Sequence, residues 1–243
     1  MEALNIISEI MKTCSLSAPR TIENGQDSNT ALALACANRA LRKIAGAYDW
    51  QELRRNIIFK ASSNHPAFDA KALGFDIKKL APDFNGIITA SLYENGSYLP
   101  IEYLSADNFL KLKVTGIGSP LKYFTAMGGK LLFLPVPTAE AYEVSFVYKS
   151  KWAVVFYQDG AESFKPYFTK DSDECVFDEE LLILGGICAL KQQLRLDYAE
   201  DLKDWGICLE EAKNRNIITP VISPKNVNTV LPDNPALSAR RDL

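Results

Sequence analysis

An α+β fold is predicted, in which terminal helices pack as a small bundle, an antiparallel β domain is inserted between them, and the C-terminus forms an extended arm. Three observations predict it. Apolar residues recur at helical spacing near both chain ends, and they alternate through the centre around Asn95-Gly96 and Gly128-Gly129. Residues 219–243 carry four prolines (Pro220, Pro224, Pro232, Pro235) and no apolar period. The order helix, sheet, helix makes the β segment an insertion between helices that meet.

The composition is that of an ordinary globular chain. Its 243 residues are 47% hydrophobic and 23% charged, enough to bury a sizeable core without covalent staples. No apolar run approaches the ~20 residues of a bilayer crossing, and the opening residues, with Glu2 and Glu9, lack the basic start of a secretory leader. Five cysteines without a C-x-x-C pair predict reduced, buried thiols in a cytosolic compartment. With 27 basic and 30 acidic residues the net charge is −3, which argues against a protein whose main task is to grip phosphate backbones. A local basic stripe is compatible with that balance.

Residues 4–16 form the first predicted helix, with Leu4, Ile7, Ile10, Met11 and Cys14 on one face. After a polar loop through Asn24, Gly25, Asp27 and Ser28, residues 30–48 repeat the pattern with Leu34, Ala37, Leu41, Ile44 and Tyr48. The polar face of this second helix carries Arg39, Arg42 and Lys43. These are either a solvated surface or a contact for an anionic partner.

From residue 56 to 148 the period becomes alternating. Leu92-Tyr93 and Tyr98-Leu99 flank Asn95-Gly96, and Tyr123-Phe124 and Leu131-Leu132-Phe133 flank Gly128-Gly129, so two hairpins are expected. Tyr142, Val144, Phe146 and Tyr148 read as a further strand, Pro135 and Pro137 mark a strand end, and residues 105–112 a short helix capped by Ser105. Residues 150–173 keep many aromatics but show no period and read as a long loop. The aromatics either fold back onto the sheet or anchor a partner, and Trp152, Phe164 and Tyr167 are the candidates for the second role.

Two more helices follow. In residues 179–196 Ile183, Ile187, Leu190 and Leu194 form a stripe, and Gly185-Gly186 admits a neighbouring backbone. Asp197 to Glu200 resembles a capping box, and Tyr198, Leu202, Trp205, Leu209 and Ala212 continue as the second arm of a helical hairpin. The expected units are residues 1–53 (N-terminal helices), 54–149 (β-rich insertion), 150–177 (aromatic loop), 178–217 (helical hairpin) and 218–243 (arm). In the arm, Pro220, Val221, Ile222 and Pro224 suit an extended chain laid on a partner, and Arg240 and Arg241 suit contacts to carboxylates or DNA.

Catalytic signals are sparse. His65 is the one histidine and lies in a loop. The densest acidic run, Asp171, Asp173, Glu174, Asp178, Glu179 and Glu180, lacks the central glycine of a calcium loop and reads as favourable charge at a helix N-terminus. Gly116-Ile117-Gly118 is followed by Pro120 rather than a helix, which fails the dinucleotide fingerprint. No catalytic residue, metal or cofactor is expected.

A collinear series of short marks runs along the chain. It comprises Tyr48-Asp49-Trp50-Gln51-Glu52-Leu53, Leu80-Ala81-Pro82-Asp83-Phe84, Leu132-Phe133-Leu134-Pro135-Val136-Pro137, Phe146-Val147-Tyr148-Lys149, Phe168-Thr169-Lys170-Asp171-Ser172-Asp173 and Glu179-Glu180-Leu181-Leu182-Ile183-Leu184-Gly185. In this series the chain resembles the head-to-tail adaptor proteins of short-tailed bacteriophages, the group that includes tail tubular protein A. The resemblance implies a twelve-fold ring of copies between the portal protein and the tail tube or nozzle. It implies DNA passing through the lumen unread, no chemistry, and residence in the virion after assembly in the host cytoplasm. The proline-bearing tail departs from the family pattern. Two other readings stay open: a nucleic-acid-binding module using Arg39, Arg42 and Lys43 with Arg54 and Arg55 nearby, and an enzyme centred on His65 and the acidic run.

Overall fold

The computed structural model describes residues 1–23, 27–94, 97–115, 121–138, 142–158 and 160–218. Its elements in order are α1 (Ala3–Thr13), α2 (Ser28–Ala47), a 3-10 turn (Gln51–Leu53), β1 (Arg54–Ala61), β2 (Phe68–Asp69), β3 (Gly74–Asp76), α3 (Ile77–Leu80), β4 (Phe84–Glu94) and β5 (Ser97–Tyr103). There follow α4 (Ala106–Thr115), β6 (Tyr123–Met127), β7 (Lys130–Leu134), β8 (Tyr142–Ser150), β9 (Val154–Gln158), β10 (Ala161–Lys165), β11 (Glu174–Cys175), α5 (Glu179–Leu194) and α6 (Ala199–Ile218). The fold is α+β, with six α-helices among the described residues and a large, mostly antiparallel sheet.

Helices from both chain ends share one apolar core. Ile6, Ile7 and Ile10 of α1, Ala37, Leu41 and Ile44 of α2, and Leu181, Leu182 and Leu190 of α5 are all buried in it. Small residues set how closely these helices approach. A Cβ on Gly185 would sit 3.2 Å from the Cβ of Ala40 and 2.9 Å from Nε1 of Trp205, and one on Gly186 would land in the side chain of Ile10. The paired glycines therefore let α5 wedge between α1, α2 and α6. Contact on several sides also corrects the expected single stripe: Leu181, Leu182, Ile187, Ala189 and Leu190 are buried, while Ile183 and Leu194 are only half-buried. Likewise Leu202, expected in the buried stripe of α6, is 46% exposed. Side-chain caps open the long helices, Asp27 accepting from the amides of Asn29 and Thr30 and Asp178 from that of Glu180.

The central sheet has eight strands in the order β1-β8-β4-β5-β6-β7-β3-β2. In the β4–β5 hairpin Tyr93 faces Tyr98, with ring centroids 4.9 Å apart; the Asn95-Gly96 turn lies outside the described residues. The β6–β7 hairpin turns through Gly128 (φ 58°) and Gly129 (φ 73°), the positive angles that a tight turn between twisted strands demands. Phe59, Phe75, Phe124, Phe133 and Phe146 fill the inner face. One pair departs from the antiparallel expectation. Past Ile101, β5 runs parallel to β6, pairing Glu102 with Tyr123 and Tyr103 with Phe124. The intervening α4 reverses the chain and covers the crossover with Phe109, which packs on Leu132 and Leu134.

Residues 150–177 are not a structureless loop. β9 and β10 form a hairpin, and β11 pairs with β9 to complete a three-stranded antiparallel sheet. Val154 and Val155 are both buried, and neighbours on a strand point to opposite faces, so no polar alternation marks the strand. Ala153, Val154, Phe168 and Phe177 join the helical core, which makes this small sheet part of the helical layer. Residues 219–243, with Pro220, Val221, Ile222, Pro224, Arg240 and Arg241, lie outside the described residues, as does Gly116-Ile117-Gly118. Among the described residues no helix is long and apolar enough to cross a membrane.

Candidate functional site

The predicted basic stripe divides in two. Arg42 turns toward the small sheet, its guanidinium carbon 5.4 Å from the centre of the Tyr167 ring. One turn away on the same flank, Asn38 clasps Phe168: the Phe168 amide donates to Oδ1 at 2.9 Å, and Nδ2 donates back to the carbonyl at 3.4 Å. Arg39 and Lys43 instead line an open cleft of about 230 Å³ between α2, α5 and α6, with Gly185, Gln192, Tyr198, Leu202 and Trp205 among its walls. Among the described residues neither cation forms an ion pair. Asp201 on α6 is held by Nζ of Lys191 through both oxygens, at 2.7 and 2.8 Å. Cys188 also lines the cleft, and burial pushes its thiol up to about 11.

Arg54 and Arg55 serve the junction between the two sheets. Arg54 pairs with Asp49 at 3.2 Å. The guanidinium carbon of Arg55 lies 3.6 Å from the centre of the Phe164 ring, and its Nη1 donates to the carbonyl of Glu52 at 2.7 Å. Its Nε and Nη2 are buried without a partner, and loss of solvent lowers its pKa from the ordinary value. One face of the half-buried Phe164 ring is thus occupied by Arg55. Trp152 is half-buried, its amide donating to Oγ of Ser150 at 2.9 Å, and Tyr167 is 43% exposed. The most exposed large apolar side chain among the described residues is Tyr157, at 63%, beside the β9–β10 turn. The sequence signal for that hairpin is Asp159-Gly160, with Gly160 at φ 79°.

Beneath Arg55 the Tyr148 hydroxyl donates to Oδ1 of the buried Asp83 at 2.7 Å. Burial first, and the adjacent carboxylate second, raise the Tyr148 phenol above its usual range. A folded-state value above the unfolded one, about 10, gives stability that is complete below that pH and is lost as pH rises through the folded value. Stability is therefore expected to fall above about pH 10. Tyr148→Phe should flatten that fall while costing about 1–3 kcal/mol at neutral pH, because Asp83 stays buried without its donor. Urea midpoints from pH 7 to 11 for both proteins check this.

His65 and the acidic run have structural duties. Nδ1 of His65 accepts the Ala67 amide at 3.1 Å, and the ring meets Phe59 and Phe75 edge-on. Asp171 and Asp173 precede β11 rather than standing in the first turn of α5; the helix start they meet is that of α1, whose first amides, Ala3 and Leu4, donate to the Asp173 and Asp171 carbonyls. Asp171 Oδ1 accepts the Ile22 amide at 2.7 Å. Asp173, fully buried, takes three donors on Oδ2: the amides of Thr169 and Lys170 at 2.7 and 2.8 Å and Nζ of Lys165 at 2.6 Å. Only Asp178, Glu179 and Glu180 stand at the start of α5, with Asp178 also pairing with Arg215 at 3.2 Å and Glu179 with the terminal amine of Met1. Among the described residues no group of three or more His, Cys, Asp or Glu side chains is arranged to hold a metal ion.

A second open cleft, of about 320 Å³, lies where the 3-10 turn meets α5 and α6, between Trp50, Phe177, Leu181 and Arg215. The Gln51 amide donates to Oδ1 of Asn216 at 3.0 Å, and Nδ2 of Asn216 donates to the Glu52 carboxylate at 2.8 and 2.9 Å. The end of α6 is thereby tied to the start of β1. No protein-family model matches the chain, and no curated protein matches it significantly.

Proposed function

We propose that the chain is a structural head-to-tail adaptor of a short-tailed phage particle. Twelve copies form a ring that binds the portal protein on one side and the tail tube or nozzle on the other, with DNA passing through unread. In this reading the protein resides in the virion. Its terminal helices form a small bundle carrying the β domain as an insertion, and residues 219–243 form an arm. The observation that carries the reading is the collinear series of marks from Tyr48 to Gly185. The side chains in that series share a mechanical task. Trp50 packs on Phe177 with centroids 5.3 Å apart, Phe168 is clasped by Asn38, and the Asp171 carboxylate takes the Ile22 amide. Such residues fix one layer to another, as a part that transmits load requires.

The nucleic-acid reading has weaker support, because Arg42 is diverted to Tyr167 and Arg55 is covered by Phe164. A phosphate-tracking surface needs cations that project together. For the adaptor, DNA affinity should show little of the steep salt dependence that phosphate contacts produce.

α6 ends at Ile218, with Asn216 bonded to Gln51, and in this reading residues 219–243 dock on the portal or the adjacent copy. Pro220, Val221, Ile222 and Pro224 make the apolar contacts, and Arg240 and Arg241 pair with carboxylates or DNA. Truncation before Thr219 is expected to leave the melting temperature unchanged and to abolish co-sedimentation with portal-bearing particles. Unimpaired attachment of the truncated protein would overturn the role of the arm. Failure of the full-length protein to co-sediment would overturn the adaptor reading itself.

A further inference from the structure

We infer that adjacent copies of this chain join head to tail, Tyr157 and Glu162 on the β9–β10 strands of one copy seating in the Arg39/Lys43 cleft of the next. The inference deepens the ring reading and rests on it for closure, while the pairwise contact is testable by itself.

The cleft specifies its occupant. Two cations without an ion pair among the described residues stand at one wall, and Asp201, a carboxylate of the adjoining helix, is already engaged by Lys191. The other walls are apolar or uncharged, and no carboxylate lines them. Leu202 is 46% exposed, Gln192 and Tyr198 can donate, and Nε1 of Trp205 is buried with no acceptor. The complement is a carboxylate beside an aromatic or aliphatic side chain. A charge that is both desolvated and paired favours such a contact, and an apolar neighbour supplies the buried area.

The chain carries that complement itself. Tyr157 and Glu162 lie directly opposite each other in the β9–β10 register, so both project from one face of the hairpin. Both are exposed, and Glu162 forms no ion pair among the described residues. Arg55, the cation whose field reaches it, is covered by Phe164 and bonded to the carbonyl of Glu52. The two surfaces also sit on different flanks of α2. β10 leads back through Tyr167 and Phe168 to Arg42 and Asn38, whereas Arg39 and Lys43 face α5 and α6. Unlike patches on different flanks give a heterologous contact, which propagates from copy to copy and closes into a ring when the rotation allows.

The test uses the full-length protein with the photo-crosslinking residue p-benzoylphenylalanine at position 157, both concentrated in solution and in assembled particles. Cross-links are expected to peptides spanning residues 185–205 of another copy. Cross-links confined to other surfaces, or none in either setting, would sink the inference. Glu162→Lys and Lys43→Glu should each weaken the contact roughly tenfold, and the two together should recover most of it. Circular dichroism confirms folding, since both side chains are exposed. Weakening by Lys43→Glu that Glu162→Lys neither copies nor rescues would show that the cleft serves a different partner and would overturn the proposal. Cross-linking without portal attachment would instead overturn the adaptor reading and leave this contact standing.

Discussion

Asp173→Ala is expected to destabilise the protein by about 3–5 kcal/mol, the range for removing one partner of a buried, hydrogen-bonded ion pair. The carboxylate is fully buried, and a single oxygen takes the amides of Thr169 and Lys170 and the ammonium of Lys165. Alanine leaves two amides without acceptors and a largely buried ammonium whose remaining partners are the Thr169 hydroxyl at 2.6 Å and the Phe156 ring at 5.1 Å. The second oxygen, Oδ1, has no partner even in the native protein, so the interaction is concentrated on one atom. Asp173→Asn keeps the volume and one acceptor and should lose less than alanine does. The consequence extends beyond the turn. The Asp173 carbonyl accepts the Ala3 amide at 2.7 Å, and the Asp171 carbonyl accepts that of Leu4 at 3.2 Å, so the same reversal docks α1. Urea denaturation measures the loss, and hydrogen exchange at Ala3 and Leu4 should quicken in step. A loss below about 1 kcal/mol would show that the turn holds its shape without the carboxylate.

The four long helices were legible because each buries a recurrent set of side chains, and a period of 3.6 residues survives in sequence whatever the partner is. Gly128-Gly129 was legible because positive φ at two consecutive positions leaves few other residues able to serve. The small sheet was hidden for a physical reason. Val154 and Val155 are both buried, so burial erased the alternation by which a half-exposed strand is recognised. The turn signal Asp159-Gly160 was present and is the feature that reveals the hairpin. The parallel pairing of β5 with β6 was beyond reach, since local pattern fixes which face of a strand is apolar but not which neighbour it takes.

The candidate surfaces were legible only as residue types. Arg39, Arg42 and Lys43 are equivalent in the helical pattern, and what separates them is the placement of α5, α6 and Tyr167 around α2. The acidic run was misread in part for the same reason. Asp171 bonds an amide 149 positions away, a partner that no nearby residue announces. Local rules assigned Asp178 correctly because its partner, the Glu180 amide, is two residues on.

Trp50→Ala is expected to cost a similar amount, about 3–5 kcal/mol, by emptying the corner where helical layer and central sheet meet. The indole is 2% exposed and lies between Tyr48 and Phe177, with centroids 5.4 and 5.3 Å away. Its Nε1 donates to the carbonyl of Ile44 at 2.6 Å, near the C-terminal end of α2, where no following turn is available to satisfy that carbonyl. Alanine therefore removes an aromatic volume and exposes or orphans a helix-end acceptor together. Trp50→Phe separates the two effects. It keeps most of the volume and loses only the donor, so about 0.5–1.5 kcal/mol should be lost. The neighbouring ties predict where the damage spreads. Lys149 of β8 donates to the Tyr48 carbonyl at 2.6 Å, and Gln51 is bonded to Asn216 of α6, so a collapsed corner loosens both the sheet and the end of α6. Hydrogen exchange in Trp50→Ala should consequently rise at residues 210–218 and at the start of β1, while the amides of the β6–β7 hairpin keep their native rates. Uniform acceleration across the whole central sheet would contradict a local role for this corner.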